Sequence, residues 1–226
     1  MNIKSLLAAT FAVASMSTLS MAQTRTIEHE YSEFDAISVS DGFKVSFVES
    51  DGYSAKFKVN DAFESYVQCY VKAGTLYIGV DDKSIPKEVK KSFKGKNSDD
   101  PVLEATVYVP SLKAVTLSDN CTFSCDKDIN APKFTLELSG TSSVSNLNIH
   151  AGESAVITVS KKAKLSSVNV KAEDKVTVNA EGNASAVLEY SAKSLEVNNS
   201  GSAELAINGQ AETASVSTAG SAKLSL

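Results

Sequence analysis

Residues 200–205 read "SGSAEL" and residues 219–224 read "AGSAKL", the same small-residue phrase nineteen positions apart. Placing Gly220 on Gly201 and stepping back finds equivalent corners at Gly182, Lys161, Gly140 and Asp119, at spacings of 19, 19, 21, 21 and 21. Four positions after each corner stands an apolar residue: Leu224, Leu205, Ala186, Leu165, Val144 and Phe123. Before each corner runs a short alternating stretch, such as "FTLELS" (134–139), "AVITVS" (155–160) and "KVTVNA" (175–180). Alternation of Val, Leu, Ile or Phe with Thr, Ser, Asn or Glu marks a half-buried strand. A near-constant period makes each repeat one coil of a solenoid, whereas a β-sandwich predicts no such period. The fold class expected is all-β: a parallel β-helix-like solenoid with coils of about 19–21 residues. Six such coils, each about 4.8 Å from the next, would stack to roughly 29 Å.

The corner residues have a mechanical reading. Gly takes positive φ without a Cβ clash, and Ser or Asn satisfies turn backbone groups. Asp119 tolerates that geometry. Lys161 does so poorly, so its rung either turns differently or needs no positive φ. As a phosphate-cradling loop "GSA" would need a following helix, and no helical period follows it.

The first half carries an earlier copy of the coil. "AISVSDGFKV" (36–45) lies over "AVTLSDNCTF" (114–123), with Asp41 on Asp119 and Val45 on Phe123. Further stretches, 53–60, 66–80 and 103–110, alternate as strands, and Gly74 falls where a tight hairpin or corner belongs. Aromatics concentrate here, so this half is expected to be wider and less regular. Phe34, Phe43, Phe47, Phe57, Phe63, Tyr66, Tyr70 and Tyr77 are expected to cover one end of the solenoid, because bare terminal coils expose unpaired strand edges. After Phe134 the only aromatic is Tyr190, and a narrow coil interior suits stacked aliphatics. The organisation expected is a β region over 23–113 and regular coils over 114–226, forming one continuous domain.

Between Val80 and Val102 the alternation stops. Residues 81–101 form a charged insert with six lysines: Lys83, Lys87, Lys90, Lys91, Lys94 and Lys96. It reads as a solvated loop or as a short amphipathic helix with Ile85, Val89 and Phe93 on one face. Those lysines are the candidate partner-binding residues, facing an acidic glycan, a lipid headgroup or a protein.

Residues 1–22 read as an export signal. Lys4 supplies the positive start, Leu6 to Leu19 the apolar run, and Ser20-Met21-Ala22 the small-x-small cleavage pattern. The run falls short of the roughly 20 apolar residues of a membrane span, and no second hydrophobic stretch occurs, so no transmembrane segment is expected. Without Lys4 the chain has 21 basic and 27 acidic side chains, a net charge of −6. That surface offers no footprint for nucleic acid. The single Arg, Arg25, is expected in an N-terminal tail and leaves few means for a bidentate phosphate clamp.

Chemistry-bearing constellations are sparse. Cys69, Cys121 and Cys125 leave an odd thiol; they read as small buried residues, and Cys121 can reach Cys125 only if the chain bends at 122–124. Four ligands make a closed zinc site; His29 and His150 bring no such spacing, and no metal or cofactor is expected. Glu137, Glu153, Glu181, Glu189, Glu196, Glu204 and Glu212 are scattered over coil positions, so no carboxylate pair for glycoside hydrolysis is selected. Glu204 matches Lys223 one rung later, an outward cross-strand pair.

With "FDAISVSDGFKVSF" (34–47), "VKAGTLYIGV" (71–80), "VYVPSLKAVTLS" (107–118) and the small-residue corners at 139–140, 200–201 and 219–220 in this order, the chain resembles the bacterial head GIN domain family of autotransporter-adhesin-like exported proteins. The resemblance spans roughly residues 30–226. It implies an exported, right-handed β-helix-like domain and, from the family's description, adhesion; it brings no active site. The function expected is a non-enzymatic exported solenoid engaging a surface glycan or protein, at the cell envelope or secreted. A carbohydrate-active enzyme and a lipid-binding module using the lysines are the alternatives. Open coil ends, including "KLSL" (223–226), are expected to pair with a second copy.

Overall fold

The computed structural model describes residues 23–93 and 101–225. It is 63% strand and 4% helix, with a β-solenoid of about five turns. The six corners from Asp119 to Gly220 bound five coils between them, one fewer than the stack of six expected. In chain order the elements are β1 (Thr24–Glu30), β2 (Ala36–Val39), β3 (Lys44–Glu49), β4 (Ser54–Asn60), β5 (Val67–Lys72), β6 (Thr75–Val80) and the short helix α1 (Lys87–Ser92). Then come β7 (Leu103–Val109), β8 (Ala114–Leu117), β9 (Thr122–Cys125), β10 (Ile129–Leu138), β11 (Ser143–Val159), β12 (Lys164–Ala172) and β13 (Lys175–Ala180). The last are β14 (Ser185–Ser191), β15 (Ser194–Asn199), β16 (Glu204–Gln210), β17 (Thr213–Thr218) and β18 (Lys223–Ser225).

Each coil contributes to three ladders. Face A runs β5–β6–β2–β8–β10–β11–β13–β15–β17, parallel throughout except for the antiparallel β5–β6 pair. Face B runs β1–β4–β7–β3–β9–β11–β12–β14–β16–β18, antiparallel only at β1–β4 and β4–β7. Face C joins β10, β11, β12, β14 and β16. The expected early copy is realised in register: Ala36 opposes Ala114 and Val45 opposes Phe123. The antiparallel strands explain the irregular first half. Arg25 lies in β1 instead of a tail, and its guanidinium meets Asp61 at 3.3 Å and Glu64 at 3.2 Å.

Inward side chains stack rung on rung. Val115, Leu136, Ile157, Val178 and Val197 form one column on face A. Phe123, Val144, Leu165, Ala186 and Leu205 form another on face B, and Leu147, Val168, Leu188 and Ile207 a third on face C. All are buried. Removing apolar area from water supplies roughly 25 cal/mol per Å², and the one-residue-in, one-residue-out pattern of strands places these side chains together.

All the corners are left-handed. Gly140, Gly182, Gly201 and Gly220 have φ of 73 to 74°, and Asp41, Asp119 and Lys161 have φ of 62, 58 and 60°. Lys161 thus follows the regular path, against both alternatives drawn from its side chain. The reason is the ladder itself: Lys162 N–H donates to Gly140 O at 2.9 Å, and Asn183 N–H donates to Lys161 O at 2.6 Å. Backbone bonds run through the turn and hold the lysine there. Two positions after the corner comes a small buried residue: Cys121, Ser142, Ala163, Ala184 and Ala203. In "GSA" the Gly turns the chain and the Ala enters the core.

The spacing change from 21 to 19 also has a local cause. Leu165 opposes Ala186, but Val168 opposes Leu188, so one residue is lost at the bend between faces B and C. The longer coils hold a left-handed residue there, Asn146 (φ 56°) or Ser167 (φ 54°). A second residue is lost where Lys171 opposes Ser191 but Lys175 opposes Ser194.

Candidate functional site

The predicted partner-binding lysines divide. Lys94 and Lys96 lie outside the described residues, as does the expected signal at 1–22. Lys83, Lys87 and Lys91 are exposed, while Lys90 Nζ meets Asp82 Oδ2 at 2.8 Å. The amphipathic reading is the one realised: Ile85 is buried, and Val89 and Phe93 pack against the core. The Phe93 ring meets that of Phe63 edge-on at 5.0 Å. Lys83, Lys87 and Lys91 therefore stand on the solvent side of a covering segment.

A shallow groove of about 750 Å³ runs along the edge between faces C and A. Its floor includes Ala131, Ala151 and Ala172, and Asn130, His150, Lys171 and Ser191 follow one another in register along it. His150 Nε2 lies 3.2 Å from Asp128 Oδ2, whose other oxygen accepts from Asn148 at 2.9 Å. Ser191 is two rungs from His150, about 10 Å, beyond the reach a base needs to activate a nucleophile. The acidic candidates are equally dispersed: Glu196 pairs with Lys175, Glu153 with Lys133 at 3.1 Å, and Glu204 with Lys223 at 2.7 Å as the repeat predicted. Among the described residues no group of three His, Cys, Asp or Glu side chains is placed to hold a metal ion.

The thiols are free. β9 is straight across 122–125, so the bend a Cys121–Cys125 bond required is not made. Cys121 is buried in the small-residue column, and desolvation pushes its pKa up to about 11. Cys69 is pushed up to about 12 by burial beside Tyr31.

The most continuous surface is the outside of face A. One row crosses the ladder from Tyr70 through Tyr77, Ser38, Thr116, Glu137, Thr158, Asn179 and Asn198 to Ser217. Asn179 donates to Thr158 Oγ1 at 3.3 Å, and Asn198 donates to Asn179 Oδ1 at 3.0 Å. At its head the Tyr70 and Tyr77 rings stack, 5.2 Å apart and 14° from parallel, with Tyr70 49% exposed. These two do not cover the solenoid end as expected of them, whereas the five phenylalanines are buried. The signal was present: in "TLYIGV" (75–80) Tyr77 alternates with the buried Leu76 and Ile78, which puts it outside.

Residues 33–154 and 143–226 both match the family described as "Putative auto-transporter adhesin, head GIN domain". Among solved structures, a "putative adhesin" from Bacteroides fragilis NCTC 9343 is similar at TM-score 0.58 and 16% identity, over 90% of this chain and 97% of that one. A second "putative adhesin", from Parabacteroides merdae ATCC 43184, is similar at 0.50 and 15% over 90% and 96%. A third, from Parabacteroides distasonis ATCC 8503, is similar at 0.50 and 12% over 90% and 97%. No curated protein matches the sequence. At these identities the likeness speaks to fold.

Proposed function

The chain belongs to the head GIN domain family, and we propose that it is an exported, non-enzymatic adhesin-type protein that engages a cell-surface glycan or protein through the flat outer faces of its solenoid. The observation that carries this reading is the face A row, a long line of hydroxyl and amide groups with one carboxylate, Glu137, headed by the stacked Tyr70–Tyr77 pair with Tyr70 exposed. Many shallow contacts repeated along one rigid face add up without a deep pocket. The dispersal and pairing of the carboxylates support the non-enzymatic part, and the family description and the leader pattern at 1–22 support export. A direct test is saturable binding of fluorescently labelled protein to intact cells, displaced by excess unlabelled protein. Binding that never saturates overturns the reading.

A second reading rests on the insert: exposed Lys83, Lys87 and Lys91 suit an anionic lipid surface, where each basic residue contributes about 1 kcal/mol. Neutralising the insert lysines should then abolish binding to anionic liposomes; no liposome binding by the unaltered protein removes it. Among the described residues β17 and β18 are each paired on one side only, which suits pairing with a second copy, and light scattering that finds a monomer at every concentration removes that pairing.

A further inference from the structure

We propose that the Tyr70–Tyr77 end of face A is a binding site for an uncharged polysaccharide, whose chain continues along the hydroxyl and amide row. The inference rests on the adhesive reading above and gives that reading an occupant.

Three features converge on it. The first is the aromatic pair. Tyr70 and Tyr77 are directly opposite on β5 and β6, and β5 is the outermost strand of face A. One face of the Tyr70 ring therefore stacks on Tyr77 while the side chain stays half exposed. A tyrosine presents an apolar ring with a polar tip, which matches the C–H face of a pyranose ring and its flanking hydroxyls. The outward positions elsewhere on this face are mostly Thr, Ser and Asn, with Val156 among them.

The second is the hollow beside the pair, about 100 Å³, lined by Ser38, Ser40, Asp41, Gln68, Tyr77 and Gly79 among others. Gly79 makes the room: a Cβ there would come within 2.5 Å of Ser40 Oγ and 2.8 Å of Asp41 Oδ2. The Asp41 carboxylate is held in place, accepting from Ser40 Oγ at 2.6 Å and from Val80 N–H at 2.9 Å. An aromatic wall beside a fixed carboxylate, an amide and hydroxyls is the donor and acceptor set that sugar hydroxyls need.

The third is charge. Along the row and around the hollow the ionisable side chains are Asp41 and Glu137, both acidic and without a cationic partner among the described residues. The next row carries Glu196, which pairs with Lys175, and at its head the exposed Lys72, two residues along β5 from Tyr70. Lys72 stands beside the row, but within the hollow and along the row itself a polymer meets the carboxylates of Asp41 and Glu137, so an uncharged chain is the complementary occupant there. The row repeats at the strand spacing of about 4.8 Å, close to the length of one pyranose ring, and the Thr158–Asn179–Asn198 bonds fix the amides before any ligand arrives.

The test is affinity electrophoresis of the full chain in gels containing mannan, dextran or a mixed-linkage β-glucan, with heparin as the acidic control. At least one neutral polymer should retard the protein. Tyr70→Ala should weaken that retardation at least tenfold with an unchanged far-UV circular dichroism spectrum, and Tyr70→Phe should stay within about threefold. No retardation by the neutral polymers, retardation by heparin alone, or equal retardation of Tyr70→Ala overturns the proposal. Running the intact-cell assay on Tyr70→Ala separates the two readings: undiminished cell binding leaves the adhesin standing and removes this site.

Discussion

Gly140 and Lys161 occupy the same corner on successive rungs, and the pair isolates what the corner demands. A Cβ on Gly140 would lie 2.5 Å from Asp119 O and 2.6 Å from Asp119 N, both rigid backbone, at a φ of 73°. Gly42 has a similar φ of 81° but nothing within 4 Å. Gly140→Ala should therefore cost about 2–4 kcal/mol, combining left-handed strain with overpacking, while Gly42→Ala should cost about 1 kcal/mol from strain alone. Equal losses in urea unfolding would remove the close-approach argument. Lys161→Gly works in the other direction. It relieves the strain of a side chain at φ 60°, offset by the greater freedom of glycine in the unfolded chain. A gain of up to about 1 kcal/mol is expected, and a loss would mean the lysine side chain contributes something at that corner.

At the scale of one coil, the ladder takes up changes in length at the bends between faces. The bend between faces B and C holds an extra left-handed residue in the longer coils, and β14 already lacks it. Deleting Ser167 moves that irregularity one rung back, leaving Leu165 and Val168 still facing inward. Thermal unfolding should show a loss below roughly 2 kcal/mol. Deleting Thr177 within β13 should leave no folded protein, because a one-residue slip sends Val178 and Ala180 outward. If both deletions fold equally well, the coil is not the unit of register. The same elements explain what could be read from the chain alone. The corners, the alternation and the Asp41-on-Asp119 copy are local signals, repeated often enough to fix each other. The antiparallel β1–β4–β7 ribbon was not legible, because its pairings join segments far apart that share no repeat. Tyr70 illustrates the gap at the surface: alternation tells which side it faces, but only the pairing of β5 with β6 brings it onto Tyr77.

For the whole molecule, one core holds the rungs together, so a thiol packed into it, whether the buried Cys121 or the partly buried Cys69, reports on the stability of all of it. In the unfolded chain cysteine titrates near its ordinary 9.0, whereas Cys121 is held at about 11 and Cys69 at about 12 by burial. Between these values the unfolded chain has released protons that the folded chain retains. The stability contributed by each thiol is therefore complete below pH 9 and is lost as pH rises through 11 to 12, at about 1.4 kcal/mol per pH unit for each. Cys121 permits a clean subtraction, because Ala163, Ala184 and Ala203 occupy its column on later rungs and Cys121→Ala fits the same space. Urea midpoints of the two proteins at pH 8 and pH 10.5 should show a smaller alkaline loss in Cys121→Ala, by about 2 kcal/mol across that interval. Parallel losses would place the Cys121 thiol in contact with water and contradict the closed column that the small-residue corners build.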